Sequence, residues 1–274
     1  MACKPLALLL TLALAGCAMA TNGETRGSGP DGLMAWPDLL ERPRPQPTET
    51  ISYGPDSLQV ADLWLPAGEG PHPVVLMVHG GCWQTEIADR RIMDWIADDL
   101  RRRGYAVWNI DYRGVDRAGG GYPGTFLDAA AATDALRTYA ARYRLDLNRL
   151  VAIGHSAGGH LATWASAHTR LDDVVSQAGA LDLYELQRRG TSDNVVRQLL
   201  GGTPDEVPEQ YEAATPRPPA RMPLLLVHGT LDEDVPVEIS RTFGAGELVE
   251  IEDEAHMEHL DPGSRCWRAV IEWL

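Results

Sequence analysis

Seven residues, Gly154-His155-Ser156-Ala157-Gly158-Gly159-His160, constrain this chain more than any others. They follow the apolar run Leu150-Val151-Ala152-Ile153 and lead straight into the helix-prone Leu161-Ala162-Thr163-Trp164-Ala165. A strand that ends in Gly-x-Ser-x-Gly and turns at once into a helix lifts a serine hydroxyl above the carboxyl edge of a sheet. The turn also brings the strand and helix backbones too close for side chains at the two glycines. The pattern therefore predicts a strand, a sharp turn and a helix, with Ser156 as the candidate nucleophile. Alone it also fits an ordinary strand-to-helix turn that happens to hold a serine, so its weight depends on partners elsewhere in the chain.

The surrounding periodicity supplies a sheet for that turn. Residues 51–53 and 59–65 alternate around Gly54-Pro55-Asp56-Ser57 and read as an opening hairpin. The run 74–78 is continuously apolar, as expected of a strand covered by helices on both faces. Helical spacing over 89–103 stops at Gly104, and a strand over 106–110, a helix over 126–143 and the strand over 150–153 follow. Later strands are expected over 174–178, 224–227 and 248–251, with a closing helix over 265–274. This alternation predicts an α/β fold with a mostly parallel central sheet, helices on both faces, an antiparallel opening hairpin and ligands at the strands' carboxyl ends. Over 181–222 the pattern weakens, with a short helix at 195–200 and Pro216, Pro218 and Pro219 at the exit. A lid or an ordinary long crossover would be inserted there.

A chain of 274 residues suits one large α/β domain. With 44% hydrophobic residues and a mean hydropathy of -0.22, it has the composition of a globular protein. A net charge of -15 argues against a nucleic-acid or anionic-membrane-surface partner, which would repel it. Lys4 and the apolar run 6–15 form a leader too short to span a bilayer. Its end, Leu14-Ala15-Gly16-Cys17, resembles the lipobox of bacterial lipoproteins. That resemblance implies removal of a signal peptide before Cys17, lipidation of Cys17 as the only membrane attachment, and a cell-envelope address, with Ala18 pointing to the outer membrane facing the periplasm. Residues 18–48, polar and broken by glycine and proline, read as a flexible tether on which Trp36 and Leu39 are candidates to dock, with the catalytic domain spanning 49–274. Cys82 and Cys266 are too few for a disulfide scaffold and read as two unpaired buried thiols, a single disulfide in an oxidising periplasm being the alternative.

A serine hydroxyl becomes nucleophilic when a base accepts its proton, and the base needs a carboxylate to hold its tautomer. The strand over 224–227 runs into His228-Gly229-Thr230-Leu231-Asp232-Glu233-Asp234, so an acid lies just past a strand's carboxyl end. Asp232 is the candidate orienting acid and Asp234 the alternative. After the last strand only His256 and His259 remain, and His256, in the loop directly following, is the candidate base. The order Ser156, Asp232, His256 is that of the α/β-hydrolases. His79-Gly80-Gly81-Cys82-Trp83 follows the first parallel strand. Its backbone amides at Gly81 and Cys82, with that of Ala157, are candidates for an oxyanion hole. Trp83 and Tyr122 are candidate substrate contacts. The histidines at 155, 160 and 168 lack the spacing of a zinc site, and no metal or cofactor is implied.

From about residue 51 to the end, the chain resembles the α/β-hydrolase superfamily, in particular the branch similar to kynurenine formamidase and to bacterial acetylxylan or feruloyl esterases. The resemblance rests on Tyr53-Gly54, Asp62-Leu63-Trp64-Leu65-Pro66, His79 to Trp83, Asp111-Tyr112-Arg113, Gly120 to Thr125, Gly154 to His160, His228 to Pro236, His256 and Asp261-Pro262. Many lipase-like esterases carry a third glycine where Cys82 stands. The resemblance implies a serine hydrolase that cleaves small carboxylic esters through Ser156, His256 and Asp232, including carbohydrate acetyl or feruloyl esters. An arylformamidase or other amidase, a prolyl-oligopeptidase-like peptidase, and a binding lipoprotein that keeps the fold without catalysis are the alternatives.

Overall fold

The computed structural model describes residues 27–29, 32–190 and 194–274. The leader and Cys17 lie outside the described residues. An eight-stranded sheet runs through the domain, formed by β1 (Glu49–Ser52), β2 (Val60–Trp64), β3 (His72–Val78), β4 (Ala106–Ile110), β5 (Leu145–His155), β6 (Asp173–Gln177), β7 (Leu224–Gly229) and β8 (Glu247–Ile251). Their spatial order is β1-β2-β4-β3-β5-β6-β7-β8. The hairpin β1-β2 is antiparallel, β2 joins β4 antiparallel, and all further pairings are parallel. This is the expected α/β-hydrolase architecture. The central strands are apolar on both sides because two cores cover them, one built around Leu76, Trp108 and Phe126 and the other around Met77, Trp64 and Trp267.

The chain reverses direction across the sheet at β3, which has β4 on one side and β5 on the other. Such a switch point leaves a crevice at the carboxyl ends of the two diverging strands. The loop carrying His79 to Trp83 leaves β3 there, and β5 delivers Ser156 beside it. From Ser156 the chain enters α4 (Ala157–Ala165), and the flanking helices α2 (Asp94–Arg102), α3 (Gly124–Tyr143) and α9 (Arg265–Trp273) cover the sheet, with the short α8 (Glu238–Thr242) between β7 and β8. A 3-10 turn at Arg90–Met93 begins the stretch expected to be helical from 89.

The elbow's glycines are set by contact distance. A Cβ on Gly154 would stand 2.1 Å from the Gly158 carbonyl oxygen, and one on Gly158 would stand 2.0 Å from that of Val78. Both obstacles are backbone and cannot rotate away. Gly158→Ala is expected to cost about 3 kcal/mol of stability, measurable as a lower midpoint of urea unfolding at unchanged slope.

Residues 181–222 form α5 (Leu183–Arg189), α6 (Val195–Leu200) and α7 (Pro208–Ala214), the second at the predicted bounds. The elbow helix ties this excursion down: Trp164 Nε1 donates to the Ala213 carbonyl at 2.8 Å, and His160 Nε2 lies 2.9 Å from that of Ala214. The segment before β1 differs from the expectation. Its described part from residue 32 packs on the domain, with α1 (Trp36–Leu40) lying against the sheet's second core and Leu39 fully buried. Leu39 and Trp36, the two docking candidates, meet the second core together with Met34, so residues 32–48 are packed on the domain rather than free of it.

Candidate active site

Ser156 sits between β5 and α4 with φ 55° and ψ -119°, a strained conformation for a residue with a side chain. Its surroundings over-determine it. Its N–H donates to the Gln177 carbonyl at 2.9 Å, and its carbonyl accepts from His160 and Ala180 at 3.2 and 3.1 Å. Ala157 is the first residue of α4, so its N–H has no acceptor within the helix. Three consecutive residues of the facing loop, Gly81, Cys82 and Trp83, also have positive φ, at 101°, 52° and 53°. A Cβ on Gly80 would stand 2.9 Å from Ser156 Cβ, so loop and elbow touch. The loop is braced from below: Tyr112 Oη donates to the His79 carbonyl at 2.9 Å, and the two rings stack at 4.4 Å. Behind them Asp111 lies 2.9 Å from His79 Nε2, though poorly aligned for a hydrogen bond, and 2.8 Å from the Arg90 guanidinium.

Asp232 follows β7 and His256 follows β8, and the structure brings them together: His256 Nδ1 lies 2.7 Å from Asp232 Oδ2. The alternatives are decided by orientation. Asp232 is buried while Asp234 is exposed, and the Asp234 and Val235 N–H groups donate to Asp232 Oδ1 at 2.9 and 2.8 Å. His259 is fully buried in the short turn Glu258–Leu260, with no hydrogen-bond partner on either ring nitrogen among the described residues. A residue not anticipated as part of the site, His228 at the end of β7, places Nε2 3.3 Å from Asp232 Oδ2 and 2.7 Å from the Val235 carbonyl. It clips the loop that carries the acid. Its position at a strand's carboxyl end was the available signal.

The electrostatics separate these groups. Burial disfavours the charged form of Asp232, but His256 and His228 outweigh it and hold the carboxyl well below its usual range. Burial also opposes charge on His256, and the Asp232 carboxylate more than reverses this, raising the imidazole above its ordinary value. His155, whose ring centroid is 4.5 Å from that of His256, is pushed down to about 3 by burial and then by His256 itself. It is neutral and donates from Nε2 to the His256 carbonyl at 2.9 Å, steadying the loop. With the His256 Nδ1 proton directed at Asp232, Nε2 carries the lone pair, the tautomer a general base requires. Asp232, Asp234 and His256 bring ligand-type atoms within 4.8 Å of one another. Both Asp232 oxygens already accept from protein donors, so the cluster is organised as a hydrogen-bonded carboxylate.

Ser156 and His256 line one cavity of about 230 Å³, together with Gly81, Cys82, Ala157 and Trp83. Most of its remaining wall is apolar: Trp36, Ile87, Ile92, Leu186, Val195 and Met257 contribute. Tyr122 does not line it, contrary to expectation. Its ring packs edge-on to Phe126 at 5.4 Å and its N–H donates to the Leu199 carbonyl at 2.7 Å, tying the glycine-rich loop to α6. No disulfide joins Cys82 and Cys266, which is buried in α9.

A family model described as BD-FAE matches residues 61–246. The chain is 28% identical over 219 residues to Esterase LipC of Mycobacterium tuberculosis, covering 70% of this chain and 53% of that one. It is 25% identical over 229 residues to Isoprenylcysteine alpha-carbonyl methylesterase ICME of Arabidopsis thaliana, covering 72% and 52%. It thus spans about half the length of these curated relatives. Among solved structures, a truncated carbohydrate esterase from gut microbiota superposes with a TM-score of 0.71 at 20% identity, over 83% of this chain and 95% of that one, a likeness of fold.

Proposed function

The chain belongs to the BD-FAE family, and from that premise we propose that it is a serine hydrolase of small carboxylic esters. The observation that carries the reading is the 2.7 Å contact of Asp232 with His256, a residue that lines the same cavity as the strained Ser156. The likeness to relatives named as an esterase and a methylesterase supports it. Ser156 Oγ attacks the ester carbonyl carbon as His256 Nε2 takes its proton. The carbonyl oxygen becomes an oxyanion facing the amides of Gly81, Cys82 and Ala157. The imidazolium then protonates the departing alcohol, leaving an acyl-serine. Water, deprotonated by the same imidazole, attacks that ester and frees the acid. Losing one oxyanion donor in such a site costs about 10²- to 10³-fold in rate.

The cavity also bears on the substrate. Its apolar wall favours a neutral acyl or alcohol group, whereas an anionic one would face Asp234 and a net charge of -15. Hydrolysis of p-nitrophenyl esters from acetate to long acyl chains tests the reading. Turnover is expected to be highest for short chains and to fall once the acyl group outgrows the cavity. No turnover at any length would overturn it, and preferential cleavage of an N-formyl aryl amide or a proline peptide would replace the ester with an amide. The envelope address and the lipid anchor at Cys17 belong to the same proposal and rest on the leader sequence.

A further inference from the structure

The segment that precedes β1 lies outside the family match, yet it reaches the cavity. Four attachments hold it. The Met34 N–H donates to Glu258 Oε1 at 2.6 Å, and Leu39 is fully buried. Arg42 forms a two-pronged ion pair with the buried Asp261 at 2.9 and 3.2 Å. The Arg44 guanidinium lies 4.6 Å from the Trp95 ring centre and 3.2 Å from the buried Asp94. Two of these acceptors, Glu258 and Asp261, belong to the segment after β8 that carries His256. Glu258 also accepts from the Ala255 N–H at 3.1 Å, so one carboxylate bonds both the segment and the residue next to the proposed base.

Between the attachments α1 is locally fixed as well. The Asp38 carboxylate accepts from the Ala35 and Ser28 N–H groups at 2.8 Å each, and Pro37 suits the first turn of a helix. This sets Trp36 on the cavity wall beside Ile87 and Ile92, which also line the adjoining groove on the outer side. The other cavity tryptophan, Trp83, is almost fully buried, whereas Trp36 is half-buried, so Trp36, together with the exposed Ile87, forms the part of the wall nearest the surface. In an apolar pocket, one methylene more or less changes discrimination by about 10- to 200-fold. Removing an indole from a small cavity therefore changes which groups it accepts.

We infer that residues 32–48 form a specificity strap for this active site, in which Trp36 sets the size of the acyl or alcohol group admitted. The inference rests on the ester-hydrolase reading, and the experiment separates the two. In the full chain, the ratio of kcat/KM for p-nitrophenyl hexanoate to that for p-nitrophenyl acetate is measured for the wild type, Trp36→Ala and Arg42→Ala. The ratio is expected to rise about tenfold in Trp36→Ala and to move the same way, by less, in Arg42→Ala, where the wall stays but its anchor is cut. Circular dichroism checks the fold, and Trp36→Leu, a smaller change, should give an intermediate ratio. Affinities of the same two esters are also measured by calorimetry in a Ser156→Ala background, with and without Trp36→Ala, where no turnover is needed. If the wild type hydrolyses neither ester, the hydrolase reading fails and the affinity ratio alone decides the strap. Hydrolysis and affinity ratios both within twofold of the parent would overturn the strap inference whatever the activity.

Discussion

Replacing Ser156 with alanine is expected to lower kcat for a short p-nitrophenyl ester about 10⁶-fold, with substrate affinity nearly unchanged. The loss follows from the geometry: the elbow presents one hydroxyl to the cavity, and the positive φ of Ser156 is held by backbone bonds to Gln177, His160 and Ala180 that alanine would also make. The variant should therefore fold. His256→Ala is expected to lose about as much, and the double variant little more than either, because the serine is a nucleophile only while the imidazole takes its proton. Single-turnover kinetics with active-site titration by an alkyl phosphonate checks this: the wild type should be labelled and Ser156→Ala not. Activity that survived Ser156→Ala would mean that another group carries the reaction.

The second large effect is expected from Asp232→Asn, which should reduce kcat about 10⁴-fold and also change the shape of the pH profile. In the intact enzyme kcat/KM falls as pH drops through the pKa of His256, because only the neutral imidazole accepts a proton. Asp232 holds that pKa above the ordinary histidine value against the opposing effect of burial. Without that carboxylate, burial opposes the charge and only the weaker pull of Asp234 and Glu258 still favours it, so the imidazolium becomes harder to form and the acidic limb moves to lower pH. Residual activity would thus persist further into acid than in the wild type. A profile that fell in amplitude but kept the same acidic limb would show that Asp232 does not set the charge of His256. His228 also approaches Asp232 Oδ2, at 3.3 Å, while its Nε2 lies 2.7 Å from the Val235 carbonyl and its Nδ1 lies 2.7 Å from Ser240 Oγ.

Much of this arrangement was legible along the chain because a parallel sheet converts order into position. A group just after an apolar run lies at a strand's carboxyl end, so the serine motif, the His-Gly-Gly loop, the acidic loop and the last histidines had to gather at one edge. The predicted strand over 106–110 and the helix over 195–200 coincide with β4 and α6, since both are bounded by residues that break the pattern. Other elements were hidden for physical reasons. β5 begins with the buried Leu145, but Asn148 and Arg149 that follow are polar and exposed, so its continuous apolar signal begins only at Leu150. The five-residue helix α1 is too short to show a period, and its proline- and glycine-rich flanks read as a tether.

By itself the sequence determined the fold class, the edge at which chemistry would occur and the residue types that converge there. Alternation of apolar runs is local, and the steric need for glycine around Ser156 is local too. The tertiary structure alone decided between near neighbours and across distances. Asp232 and Asp234 are two residues apart, and only the turn made by the Asp234 and Val235 amides sends one carboxylate inward and the other to solvent. His256 and His259 are separated by less than one helical turn, and the path of the loop from β8 puts the first on Asp232 and buries the second with no hydrogen-bond partner for its ring nitrogens among the described residues. Tyr122 was drawn off the cavity onto Phe126, and Trp36 was brought to it by the Arg42–Asp261 ion pair and the Met34–Glu258 hydrogen bond, both reaching toward the far end of the chain. Such choices depend on which side chains meet once the sheet has twisted and closed its cores, and no local pattern encodes a contact between residues that folding alone brings together.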